Sequence, residues 1–134
     1  MNFSTTASYS LNVLSYMAKY DGTSISAAFL HKKLFIPYPY LRQILANLSK
    51  SGFIHSTRGR SGGFAFSKDK GDIYLADIID ATDGLDNYNI CILGFKTCPF
   101  NTECSMHSVW EEARRNIFKV LKETSLADLA NKRN

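Results

Sequence analysis

Cysteine is absent from the first 90 residues of this 134-residue chain, and the three it has fall between positions 91 and 104. Three thiols cannot all pair within one chain, so a disulfide scaffold is excluded and reduced thiols, as in a cytosol, are expected. Long apolar runs are missing too: nothing approaches the roughly 18 uninterrupted apolar residues of a membrane helix. The start, Met1-Asn2-Phe3-Ser4-Thr5-Thr6, lacks the basic residues and apolar run of a secretory leader. A cytoplasmic protein with no membrane partner is therefore expected. Neither an internal repeat nor a low-complexity tract occurs, which excludes solenoids and compositionally disordered arrays. What remains, at 45% hydrophobic and 21% charged residues, is an ordinary globular composition. The length fits one domain, or one domain with an arm.

Acidic residues are scarce in the first half. Residues 1–70 carry nine Lys/Arg and two Asp/Glu, a charge of +7, and residues 71–134 carry seven and ten, a charge of −3, which together return the net +4. A basic half offers a surface to a polyanion, nucleic acid foremost. On charge alone, a solvated face without a partner explains it equally well.

Apolar residues at Tyr9, Val13, Tyr16, Met17 and Tyr20, with a second row at Ala7, Leu11, Leu14 and Ala18, predict a first helix. Ser4 is its expected N-cap and Asp21-Gly22 its stop. A helix apolar on two sides is either central to a core or pressed against a partner. Ser24 to Leu34 reads as a short second helix, ended by Phe35-Ile36-Pro37-Tyr38-Pro39. A third helix runs from about Pro39 to Lys50, with Leu41, Ile44, Leu45 and Leu48 turned inward and Gly52 as a left-handed cap. The period then changes to that of two short strands, Phe53–Thr57 and Phe64–Ser67, around the glycine-rich turn Arg58-Gly59-Arg60-Ser61-Gly62-Gly63. A fourth helix is expected over Ile73–Thr82, stopped at Gly84. A long helix follows from about Ser105 to Lys122, and Ser125 caps a last short turn. The long helix carries the apolar row Met106, Val109, Trp110, Ala113, Ile117, Val120 and Leu121, and such a row on an exposed helix calls for a partner.

Two short helices followed by a ribbon with a basic, glycine-rich tip form the layout of a winged helix-turn-helix. The second helix of such a pair enters the major groove of double-stranded DNA. With the leucines inward, Tyr40, Gln43, Asn47 and Lys50 face out and Arg42 stands at the edge. Gln can bond bidentately to adenine and Arg to guanine. Residues near the helix start reach deepest, so Tyr38, Tyr40, Arg42 and Gln43 are the base or backbone candidates, with Asn47 and Lys50 at phosphates or in solvent. At the ribbon tip, Arg58, Gly59, Arg60 and Ser61 let backbone approach phosphates and guanidinium groups reach a minor groove. An ordinary hairpin turn is the competing reading of the tip. A nucleotide-binding phosphate loop is a third and weak reading, because no Gly-Lys-Ser/Thr ending exists and no helix follows at once.

Cys91, Cys98, Cys104 and His107 lie within seventeen residues. Three thiols and an imidazole make a complete four-ligand set for zinc or an iron–sulfur cluster. Structural zinc sites favour two tight pairs; here only Cys104-x-x-His107 is tight, and the wide gaps favour a bulkier centre. Merely buried cysteine is a poor account of three in one polar loop. A Cys104–His107 nucleophile leaves Cys91 and Cys98 unexplained and has no oxyanion signature, so an enzyme is not expected. A metal-free thiol-redox regulator or a zinc-stabilised one remains open. His31 and His55 have no partners in sequence and read as surface or satisfied residues, and Trp110 as packing.

The stretch Tyr40-Leu41-x-x-Ile44-Leu45-x-x-Leu48-x-x-x-Gly52-Phe53-Ile54-x-Ser56-x-Arg58-Gly59-x-x-Gly62-Gly63-Phe64 resembles the signature of the Rrf-type winged-helix regulators, the IscR- and NsrR-like family. The likeness continues through Ile73-x-Leu75-x-Asp77-Ile78-Ile79, the cysteine cluster, Trp110 and Ser125-Leu126-Ala127-Asp128-Leu129. It implies a mainly α fold with a small β-ribbon: a winged helix-turn-helix domain over residues 1–84, a cysteine-rich cluster-binding loop over 85–104, and a dimerisation helix and tail over 105–134. It implies a homodimeric transcription factor on a near-palindromic operator. The Cys-x-x-His ending is the IscR-like one, which implies a two-iron, two-sulfur cluster, in preference to a four-iron one, on Cys91, Cys98, Cys104 and His107. The first cysteine gap is one residue longer than in that pattern. NsrR-like proteins instead draw on an aspartate of the first helix, where this chain has Ser8.

Overall fold

A computed structural model describes residues 3–20, 24–59, 62–91, 93, 95, 99–100 and 105–131. Among them run α1 (Thr5–Lys19), α2 (Ala27–Leu34), α3 (Tyr38–Lys50), β1 (Ile54–Thr57), β2 (Gly63–Phe66), α4 (Leu75–Thr82), α5 (Ser105–Glu123) and α6 (Leu126–Ala130), with 3₁₀ turns at Lys70–Asp72 and Leu85–Tyr88. This is the expected class, mainly helical with a small ribbon, arranged as a winged helix-turn-helix with a long helix behind it.

Helix α1 is central to the core. Ser4 Oγ accepts from the Ala7 N–H at 3.0 Å, satisfying one of the free donors at the helix start. Ala7, Val13, Leu14, Met17 and Ala18 are buried where α1 meets α3, α4 and α6. The helix ends at Lys19; the expected stop at Asp21-Gly22 lies outside the described residues.

Helix α2 starts at Ala27 instead of Ser24, because tertiary pairing overrides local preference. Ile25 exchanges two backbone hydrogen bonds with Phe64, Ile25 N–H to Phe64 O at 3.0 Å and Phe64 N–H to Ile25 O at 2.8 Å. The cap therefore falls to Ser26, whose Oγ accepts from Phe29 N–H at 3.1 Å. In α3, Pro39 occupies the first turn and Leu41, Ile44, Leu45 and Leu48 are no more than 1% exposed, each contributing about 2 kcal/mol relative to exposure. Gly52 takes the left-handed conformation (φ +88°), and the Phe53 N–H reaches back to Leu48 O at 3.1 Å.

The ribbon is antiparallel, with Ile54 opposite Phe66, Ser56 opposite Phe64 and Thr57 opposite Gly63. Gly63 is fixed by crowding: a Cβ there would lie 2.4 Å from Ile25 O and 2.6 Å from its carbonyl carbon. The ribbon is thus clamped to the segment before α2 at a spot where only glycine fits.

Helix α4 begins at Leu75, two residues later than expected. Ile73 and Tyr74 are occupied by the end of the chain: Leu126 N–H bonds Ile73 O at 2.9 Å, Leu75 N–H bonds Thr124 O at 3.0 Å, and Tyr74 bridges Ser125. Ser125 and Asp128 form a reciprocal cap on α6, with Asp128 N–H to Ser125 Oγ at 3.1 Å and Ser125 N–H to Asp128 Oδ2 at 2.9 Å. Leu126 is fully buried in the same core as Leu14 and Leu30. Helix α5 packs against α4 through Leu121 and Ile117 on Ile79. Of the rest of its apolar row, Val109 and Val120 are 61% and 59% exposed, and Met106, Trp110 and Ala113 are half-buried. No helix among the described residues is long and apolar enough to cross a membrane.

Candidate nucleic-acid interface and cysteine loop

The amphipathic period of α3 leaves Arg42, Gln43, Asn47 and Lys50 exposed. Gln43 Nε2 donates to Asn47 Oδ1 at 3.1 Å, as side chains four apart on one face do. Tyr40 is less free than its position on the outer row implies. Its hydroxyl pairs with Thr6 Oγ1 at 2.9 Å and its ring stands edge-on to Tyr9 at 5.2 Å, so α1 orients it. Tyr38 is edge-on to His31 at 5.3 Å, and His31 Nδ1–H donates to Ile36 O at 2.7 Å; His31 is a satisfied residue, as expected. His55 is one too, with Nδ1 at 2.9 Å from Ser67 Oγ.

Between α3 and the ribbon lies an open cleft of about 580 Å³, lined among others by Tyr38, Arg42, Ala46, Ser49, Ser56 and Phe64. Arg58 and Gly59 are exposed just past β1, and Gly62 N–H closes the turn on Gly59 O at 2.9 Å. Arg60 and Ser61 lie outside the described residues. From residue 22 to residue 68 the sequence has seven Lys/Arg and no Asp/Glu. The α3 face and the wing therefore share one sign of charge, with no carboxylate nearby in sequence to neutralise it.

Of the four expected ligands, Cys91 and His107 are described; Cys98 and Cys104 lie outside the described residues. Cys91 is half-buried and unpaired. Its Sγ accepts from Leu93 N–H at 3.4 Å, and its own N–H points to Phe95 O at 3.4 Å. The preceding carbonyl is fastened to α5: Ile90 O accepts from Trp110 Nε1 at 2.7 Å and from Arg114 at 3.4 Å. His107, Trp110 and Arg114 stand at i, i+3 and i+7, one stripe of α5. The tether thus brings the backbone beside Cys91 to the helix stripe that bears His107. The imidazole is exposed (68%), and its Nε2 lies 3.0 Å from Glu111 Oε2. An N–H on Nε2 donated to that carboxylate leaves Nδ1 with the free lone pair, the pairing that orients ligating histidines. The donor chemistry, a thiol with an amide N–H on its sulfur and a carboxylate-oriented imidazole, fits a soft metal centre. Among the described residues, no three His, Cys, Asp or Glu side chains converge on a metal-sized point.

A second polar cluster joins the loop's base to α1. Ser4 N–H donates to Asp83 Oδ2 at 3.2 Å, and both Ser4 Oγ and the Tyr88 hydroxyl donate to the Asp83 carboxylate. Phe3 packs edge-on to Tyr88 at 5.2 Å. Partial burial pushes the Asp83 carboxyl up, but the bonds from Ser4 and Tyr88 outweigh it and hold it below its ordinary value. Burial and the adjoining carboxylate push the Tyr88 hydroxyl up.

Sequence patterns did not reveal this cluster, because Ser4 and Asp83 are 79 positions apart and neither falls in a motif. Nor did they reveal Trp110 as a tether: it reads as packing, and the structure adds a specific donor. A lone tryptophan three residues after a candidate ligand was the available signal.

The description "Iron-dependent Transcriptional regulator", attached to the Rrf2 family model, matches residues 3–132. A candidate HTH-type transcriptional regulator of Aquifex aeolicus is 32% identical over 98% of this chain and 92% of its own length. The solved structure of T. potens IscR superposes with a TM-score of 0.73 at 26% identity, covering 100% of this chain and 93% of that one. The oxidized form of Staphylococcus aureus CymR does so with a TM-score of 0.77 at 26% identity, over 100% and 99%.

Proposed function

The chain belongs to the Rrf2 family of DNA-binding transcriptional regulators and is not an enzyme, and we propose that it is a homodimer whose grip on a near-palindromic operator is set by an iron–sulfur cluster. Residues 1–84 read DNA, residues 85–104 together with His107 hold the cluster, and α5 pairs with α5 of a second copy through an apolar row whose Val109 and Val120 are exposed. Arg42, Gln43 and Tyr38 address bases or their backbone; Asn47, Lys50 and the wing residues Arg58, Gly59, Arg60 and Ser61 address phosphates and the minor groove; Tyr40 serves from the position Thr6 gives it.

Cys91, Cys98, Cys104 and His107 would hold the cluster, of two irons and two sulfides in keeping with the IscR-like ligand pattern. Such a cluster supplies, when bound, a soft centre that is lost to acid or oxidation. What supports the reading above all is the fastening of Ile90 O by Trp110 and Arg114, beside Cys91 and on the helix stripe of His107. Ordering that loop braces the start of α5. Through Tyr88, Asp83 and Ser4 it also braces α1, against which Tyr40 of α3 rests. Two states of the loop then carry two DNA affinities.

The test is anaerobic purification of the full chain. Iron, acid-labile sulfide and visible colour are expected, with colour lost in Cys98→Ala. Zinc alone, or no metal with a reversible disulfide, would replace the cluster by the zinc-stabilised or thiol-redox regulator of the same fold.

A further inference from the structure

Phe35 is the one non-glycine residue with positive φ among those described (φ 58°, ψ 28°), and it is 87% exposed. It terminates α2, its N–H bonding His31 O at 3.0 Å. Each feature is unfavourable for folding. A left-handed conformation strains any residue with a Cβ, and glycine or asparagine would hold it more easily. A ring in water contributes no burial, whereas its neighbour Ile36 is 1% exposed. Strain and apolar exposure at one position, unexplained by packing, mark a residue kept for a contact outside the chain.

The surroundings identify the partner. Phe35 lies in the turn between α2 and α3, three residues before α3 begins. Lys32 and Lys33 are exposed on the last turn of α2, and the whole stretch 22–68 has seven cations and no carboxylate. A protein partner offers no reason for such uniformity; a polyanion does. When the start of α3 enters a major groove, the preceding turn stands at the groove's edge. The apolar groups exposed there are the C5-methyl of thymine and the flank of deoxyribose.

We infer that Phe35 is a specificity-determining DNA contact, its ring packing on a thymine methyl at the edge of the major groove while Lys32 and Lys33 hold the adjoining phosphates. This rests on α3 being the groove-facing helix. The left-handed backbone aims the ring away from Ile36 and the core, and the fold carries that strain in exchange for the contact.

The experiment uses the full chain and a duplex selected by the wild type from a random pool. Phe35→Gly and, should that variant fold poorly, Phe35→Asn are compared with wild type by thermal melting and by binding at several salt concentrations. Melting at or above the wild-type temperature is expected, with affinity about tenfold lower and an unchanged salt slope. Replacing single thymines by deoxyuridine, which removes only the methyl, should weaken wild type at one position per half-site and leave the variants indifferent there. Equal affinity of variants and wild type, or an equal response of both to every deoxyuridine, overturns the inference. Arg42→Ala run in parallel separates the failures: if it too leaves binding unchanged, α3 is not the groove-facing helix.

Discussion

The indole N–H of Trp110 donates to the carbonyl of Ile90 at 2.7 Å, so the first half of α5 is fastened to the residue beside Cys91. Trp110→Phe keeps the ring and removes the donor. The cost to folding should be about 1 kcal/mol, that of one hydrogen bond at a partly exposed site. Retention of the proposed cluster should weaken about tenfold, as for groups that orient ligands without touching metal. Iron release to a chelator, followed by absorbance beside a melting curve, measures both. Unchanged release would mean that Trp110 serves α5 packing alone.

Gly63 faces Ile25 so closely that a methyl group has no room: the clash is with backbone, 2.4 Å from Ile25 O and 2.9 Å from Ser26 N. Gly63→Ala must either push the ribbon off the segment before α2 or break the Ile25–Phe64 pair of hydrogen bonds. A loss of about 1–3 kcal/mol is expected, read as a lower thermal midpoint. A midpoint equal to wild type would show that the clamp yields freely.

Asp83 gives the fold a dependence on acidity. Its folded value is depressed by the bonds from Ser4 and Tyr88, so its stabilisation is fully present above the ordinary carboxylate value of about 3.9 and is lost as pH falls through the folded value below that. Tyr88, raised in the fold, acts at the other end: its contribution holds below about 10 and is lost as pH rises through its folded value. Asp83→Asn should melt lower than wild type at neutral pH, and the two curves should converge in acid. A gap independent of pH would assign Asp83 a purely steric role.

Much of this was legible in the residues, where the signal is local. The spacing of Leu41, Ile44, Leu45 and Leu48 fixes which face of α3 is buried, Ser4 and Ser125 announce their helices, and Gly62-Gly63 announces the turn of the ribbon. Distant partners decide the rest. Ile25 is claimed by Phe64 and delays α2; Ile73 and Tyr74 are claimed by Leu126 and Ser125 and delay α4. Phe35 carries no hint of a left-handed backbone, because nothing in its side chain asks for one. The interface candidates follow from amphipathic period and charge, but that Tyr40 leans on Thr6 depends on how α1 crosses α3. For the cysteine loop, the sequence supplies the candidate ligands, whereas the tie between Ile90 and Trp110 spans 20 positions without a repeating pattern.

Arg58 stands exposed at the end of β1 beside Gly59, whose φ of +100° turns the chain sharply at the tip. With no carboxylate between residues 22 and 68, a cation placed there is the proposed contact for phosphate in any duplex, irrespective of base. Arg58→Ala should therefore weaken binding to operator and to unrelated DNA by similar factors, and the slope of log affinity against log salt should shrink by about one for the phosphate lost. Gln43→Ala is the contrast: as the proposed base-reading residue of α3, it should cost about 1–3 kcal/mol on the preferred sequence and leave the salt slope unchanged. The two variants together separate grip from reading. If Arg58→Ala changed sequence preference while keeping the slope, the wing would be reading bases, and the division of labour between ribbon and α3 would have to be redrawn.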